Sequence, residues 1–165
     1  MPLSFSPNPV RGSRAMAVAP HALASQSALA VMREGGNAVE AMITAAATIA
    51  VVYPYMIRLG GDVFWLISRP GRPPLALEAC GAAAAAADIA SYRDRGLDTI
   101  PFRGGLAANT VAGTVSGWNA AHEWSRRELG GRLPLSRLLA DAVDYARHGM
   151  PVTASQAACT QAKRE

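Results

Sequence analysis

The chain has 165 residues, half of them apolar and 17% charged, with a formal net charge of +4. That length suits one domain, and that composition belongs to a chain with a buried core, which excludes a disordered tail or linker. The basic balance comes from scattered arginines, Arg33, Arg58, Arg93 and Arg127 among them, with no aromatic-interleaved stripe. It reads as a solvated basic surface, and nucleic acid is not an expected partner.

Residues 1–14 are polar and Pro-rich, and form an expected flexible N-terminal segment. They hold no apolar stretch before a cleavage site, so no secretory signal is read and a cytoplasmic location is expected. Residues 15–20 (A-M-A-V-A-P) are a short strand candidate. A helix is predicted over 25–34, with Ala28, Leu29 and Met32 on one face and Gly35-Gly36 ending it. Asn37 then opens a second helix, with Glu40 three residues on in a capping-box arrangement. It is apolar nearly all round to Val52, which predicts burial on most sides, and Pro54 stops it. The apolar run 41–57 is interrupted by Thr44, Thr48 and Pro54; a core helix is read here, not a membrane span.

Residues 59–62 (L-G-G-D) are a turn, and 63–68 (V-F-W-L-I-S) a strand. Residues 69–74 (R-P-G-R-P-P) read as the loop of a hairpin whose returning strand is 75–80. Asp88 caps a short helix reaching Arg95, residues 104–113 are loop-like, and a helix runs over 115–129 to the stop at Gly130-Gly131. From Pro134, the spacing of Leu135, Leu138, Leu139, Ala142, Val143 and Ala146 predicts one amphipathic helix, with Arg137 and Asp141 paired on its other face and Gly149 and Pro151 ending it. Another helix opens over 155–165, and the chain stops inside it. Strand, helix, helix, strand, strand, helices is an α/β (α+β layered) order with an antiparallel hairpin. Cys80 and Cys159 are far apart and form no C-x-x-C, so neither a zinc site nor a disulfide framework is read. No metal or organic cofactor is implied. His21, His122 and His148 are isolated and read as surface or partly buried; Thr99, Thr110, Thr114 and Thr153 read as caps or turn formers.

Three segments, taken together, resemble the start of the large subunit of the gamma-glutamyltransferase family. Residues 17–41 (A-V-A-P-H-A-L-A-S, then R-E-G-G-N-A-V-E-A) resemble the family's strand-to-helix step and its R-x-G-G-N-A-x-D/E-A. Residues 53–65 (Y-P-Y-M-I-R-L-G-G-D-V-F-W) resemble E/Y-P-H-x-x-G-x-G-G-x-x-F. Residues 109–117 (N-T-V-A-G-T-V-S-G) and the L-P-L-S-R-L-L-A-D-A-V-D-Y-A-R-H-G-M-P-V that follows resemble V-P-G-x-V-x-G and the family's next helix. The resemblance spans residues 15–152. It implies an incomplete αββα N-terminal-nucleophile hydrolase sandwich, with residues 15–165 as a partial large-subunit domain truncated at its C-terminus. A family precursor cuts itself, and a Thr then heads the small subunit as nucleophile, with its own amine as base.

That Thr has no counterpart here, so the resemblance implies no catalytic residue in this chain. It implies a partner instead: the small subunit or C-terminal remainder carrying the Thr. The implied activity is transfer or hydrolysis of γ-glutamyl or related small amide bonds, and the chain alone is expected to be inactive. One position departs from the pattern. The family's L-D-F-R-E arginine grips the substrate α-carboxylate, and Cys80 stands there, with Gly81 in place of the Glu. A thiol does not replace a guanidinium. The chain then resembles the divergent branch acting on other small amides, oxamate amidohydrolase-like, or else Arg58 compensates; a catalytically inactive remnant is the remaining alternative. Cys80 and Arg58 are therefore the candidate substrate-binding residues.

Overall fold

The computed structural model describes residues 9–108 and 110–163. Residues 1–8 of the N-terminal segment, Asn109 of the third family-like segment and residues 164–165 of the last predicted helix lie outside them.

Helix α1 (Ala22–Arg33) begins three residues earlier than periodicity predicts, because His21 caps it: the ring Nδ1 accepts a hydrogen bond from the Leu23 N–H at 3.2 Å. A turn through Gly35, whose φ of 90° suits glycine alone, folds the chain back. Helix α2 (Ala38–Val52) then starts on the expected capping box. The Asn37 side chain accepts from the Val39 and Glu40 N–H groups, and Glu40 Oε2 accepts from the Asn37 N–H at 2.8 Å. As its all-round apolar sequence predicts, α2 is buried along most of its length, and Ile43, Ala47, Ile49 and Val52 are core residues.

Strands β1 (Val63–Arg69) and β2 (Arg72–Ala79) pair antiparallel, Trp65 opposite Leu77 and Ile67 opposite Leu75, with an irregularity between Ile67 and Arg69. The connection is shorter than the predicted loop over 69–74. Pro70 and Gly71 alone make the turn, Gly71 taking a φ of 70°. Pro73 and Pro74 made the sequence read as loop, but proline is accommodated on a strand whose N–H side faces no partner. Residues 15–20, predicted as a strand, belong to no strand: among the described residues the sheet has two strands, β1 and β2, and an extended segment needs a hydrogen-bonded neighbour to become one.

Asp88 caps α3 (Ile89–Arg93) through the Ser91 N–H at 2.8 Å. Helix α4 (Thr114–Leu129) ends at Gly130, which takes a left-handed φ of 64°. The predicted single helix from Pro134 is two, α5 (Leu135–Leu138) and α6 (Ala140–His148), broken at Leu139 with φ −94° and ψ −6°. The break splits the apolar stripe. Leu138 and Ala142 are buried, whereas Val143 is 42% exposed. Thr153 caps α7 (Ala154–Gln161), which ends before residues 164–165.

The layers stack in order. The inner face of the hairpin lies on α4, α4 lies on α2, and α1 and α6 flank α2. Ala28, Val31, Ile43, Trp118, Ala121 and Leu138 form the shared core. This is an α/β layered architecture. Gly117 shows how tightly the hairpin sits, because a Cβ there would fall 2.3 Å from Val63 Cγ1 and 2.7 Å from Ala79 Cβ. Among the described residues no helix is long and apolar enough to cross a membrane.

Candidate functional site at the open end of the hairpin

Two of the three family-like segments converge where β1 begins and β2 ends. The Gly61 carbonyl accepts hydrogen bonds from the Gly113 and Thr114 N–H groups, both at 3.0 Å, and from the Thr114 hydroxyl at 2.6 Å. Asp62 Oδ1 accepts from the Gly81 N–H at 3.2 Å. The start of α4 and both ends of the hairpin are thereby tied into one junction. Its glycines are required by close backbone approach: a Cβ on Gly113 would meet the Ala79 carbonyl at 2.1 Å, and one on Gly81 the Val111 carbonyl at 1.5 Å.

Cys80 lies in this junction and is exposed. Desolvation by the atoms around it, and then the neighbouring Glu78 and Asp62 carboxylates, push its thiol above the ordinary range. At neutral pH it is a neutral thiol, not a thiolate nucleophile. Arg58 is exposed on the segment leading into the junction. The structure thus places both predicted site residues on segments that meet at the junction.

Upstream of Arg58, the Tyr53 and Tyr55 rings lie 4.6 Å apart, and the Tyr55 hydroxyl is 2.9 Å from Ser155 Oγ on α7. The Ser155 hydroxyl is also 3.1 Å from Thr153 Oγ1. The Tyr53 carbonyl accepts from the Met56 and Ile57 N–H groups at 3.2 Å.

Sequence reasoning missed Asp62 and undervalued Thr114, whose hydroxyl joins the glycine turn instead of capping its own helix. Their signal lay in the G-G-D and A-G-T steps of the family-like segments. Thr153 is the expected cap, Thr110 bridges to Ala83, and Thr99 lies in an exposed bend. His21 and His122 are more buried than expected; His122 Nε2 pairs with the Leu133 carbonyl at 2.9 Å, while His148 is exposed beside Asp144. No histidine forms a hydrogen bond with a cysteine or threonine side chain among the described residues, so no nucleophile and base are assembled there. Nor do the described residues bring together three His, Cys, Asp or Glu side chains that would hold a metal ion.

Known proteins share this architecture. The sequence profile of the family described as Gamma-glutamyltranspeptidase matches residues 24–165. An oxamate amidohydrolase proenzyme of Klebsiella pneumoniae is 60% identical over 150 residues, covering 91% of this chain and 28% of the relative. A glutathione hydrolase-like YwrD proenzyme of Bacillus subtilis is 38% identical over 152 residues, covering 92% of this chain and again 28% of the relative. The crystal structure of Helicobacter pylori gamma-glutamyltranspeptidase superposes with a TM-score of 0.82 at 28% identity, over 94% of this chain and 44% of that one. The chain belongs to the gamma-glutamyltranspeptidase family. Its fold is that of the N-terminal-nucleophile hydrolases of this family, and it spans less than a third of the length of these two proenzyme relatives.

Proposed function

We propose that this chain is the large-subunit part of an amide-cleaving N-terminal-nucleophile enzyme whose substrate is a small amide of the oxamate type, not a γ-glutamyl peptide. What carries the reading is the resemblance that sets Cys80 at the family's arginine position, together with the Glu78 and Asp62 carboxylates that act on its thiol. The 60% identity to an oxamate amidohydrolase proenzyme supports it. On this reading the remainder of the enzyme supplies a Thr. Its hydroxyl adds to the amide carbonyl, the amine leaves with the proton, and water cleaves the acyl-enzyme to free acid. The chain by itself then has no activity. Arg58, an exposed cation on the segment leading into the junction, is the group that pairs with the substrate carboxylate.

The enzyme containing this chain joined to its Thr-bearing remainder is the protein to assay. Ammonia release from oxamate is expected, with turnover of a γ-glutamyl anilide at least about a hundredfold less efficient in kcat/KM. Efficient γ-glutamyl turnover that survives Arg58→Ala would overturn the assignment. Cys80→Ala is expected to leave oxamate hydrolysis within about twofold, since a neutral thiol contributes no carboxylate contact.

A further inference from the structure

The segment that carries Arg58 is held at two places. At its downstream end, Gly61 is fixed by three hydrogen bonds from the start of α4. At its upstream end, the Tyr55 hydroxyl meets Ser155 in the first turn of α7 at 2.9 Å. Between these anchors Met56, Leu59 and Arg58 are all exposed, and a Cβ on Gly60 would meet nothing within 4 Å. After the Met56 and Ile57 N–H groups donate to the Tyr53 carbonyl, nothing among the described residues packs on residues 58–60, so their path follows from the turn at Tyr55 and the anchor at Gly61.

The upstream anchor is built from several groups. Ser155 is itself engaged by Thr153, the cap of α7, and the Tyr55 ring lies tilted against that of Tyr53 at the end of α2. Gln156, the next residue of α7, is buried. Tyr55 ionises below the ordinary phenol range because the Ser155 hydroxyl, and next Tyr53, hydrogen-bond to its oxygen.

We propose that Tyr55, held by Ser155, is a positioning residue that sets the path of the exposed span carrying Arg58, so that α7 governs the recognition of an anionic substrate without touching it. The substrate part rests on the function proposed above; the positioning part does not. It predicts a split that general loosening of the fold would not produce. In the joined enzyme, Tyr55→Phe should raise KM for oxamate about fivefold or more with kcat within about twofold, and leave KM for the uncharged diamide oxamide unchanged. Ser155→Ala should reproduce this, and Ser155→Thr, which keeps the hydroxyl, should restore the original KM.

A second measurement uses limited trypsin digestion of the same joined enzyme. Trypsin cleavage after Arg58 should accelerate about fivefold in Tyr55→Phe while the melting temperature holds, because only the exposed span is released. Unchanged cleavage would overturn the positioning role, whatever the kinetics. Faster cleavage with equal KM changes for oxamate and oxamide would overturn the recognition role. If the unaltered enzyme hydrolyses neither amide, the proposed substrate class fails, and the cleavage rates still decide whether Tyr55 holds the span.

Discussion

Arg137 joins three elements through one guanidinium. Its Nε donates to Glu34 Oε2 at 2.8 Å beyond the end of α1, its Nη2 contacts Glu34 Oε1, and its Nη1 reaches Asp141 on α6 at 3.4 Å. The Arg137–Asp141 pair was legible from helix spacing, whereas Glu34 lies 103 residues away and was not. The Arg137 hydrogen bond, the largest influence, holds the Glu34 carboxyl below the usual carboxylate range. A carboxylate with a depressed folded pKa stabilises the fold fully above its unfolded value of about 4.3 and loses that contribution as pH falls through the folded value. Acid unfolding should therefore begin at higher pH, and be less steep below about pH 4, in Arg137→Ala than in the original chain. Circular dichroism across a pH series checks this; superimposable acid transitions would remove Glu34 from the account.

At the scale of elements, one buried carboxylate ties the start of a helix to a distant loop. Glu40 is 1% exposed; its Oε2 closes the capping box of α2, and its Oε1 accepts from the Leu133 N–H at 2.9 Å, in the connection between α4 and α5. The Asn37 side chain extends the tie to Ser125 on α4 at 2.8 Å. The capping box was readable from the three-residue spacing of Asn37 and Glu40, because a helix start has unpaired N–H groups whatever surrounds it. The second half of the carboxylate's work was not readable, since Leu133 is 93 residues distant. Removing the carboxylate strands two N–H groups, so Glu40→Ala should lower unfolding free energy by about 3 kcal/mol in urea melts. Glu40→Gln, which keeps one acceptor, should fall about halfway.

For the whole molecule, the outer face of the hairpin is the feature with most consequence. Phe64 is 70% exposed and Leu66 79%, opposite Glu78 and Ala76, while the inner residues Trp65 and Ile67 pack on the core. An open two-stranded sheet with an apolar outer face is a surface that other chains will cover. The 165-residue chain on its own should accordingly self-associate, and Phe64→Lys with Leu66→Lys should shift it toward monomer in sedimentation velocity without loss of helix content. A monomer before substitution would show that this face is tolerated in water.

The sequence by itself determined whatever depends on neighbours within a turn or two: the caps at Asn37, Asp88 and Thr153, the glycine stops, the burial of α2 and the alternation of the hairpin. It also carried the family motifs, whose order alone pointed to a gamma-glutamyltranspeptidase relative. Hydrogen bonds to the nearest N–H groups and side-chain periodicity are local, and local order is written in residue spacing. Tertiary structure alone decided three things. Residues 15–20 paired with no strand among the described residues, the stripe after Pro134 broke at Leu139, and the junction of Gly61, Asp62, Gly81 and Thr114 formed beside Cys80. Each depends on which distant backbone comes within hydrogen-bonding reach, and that is settled by the packing of α4 between α2 and the hairpin, not by any residue's immediate neighbours.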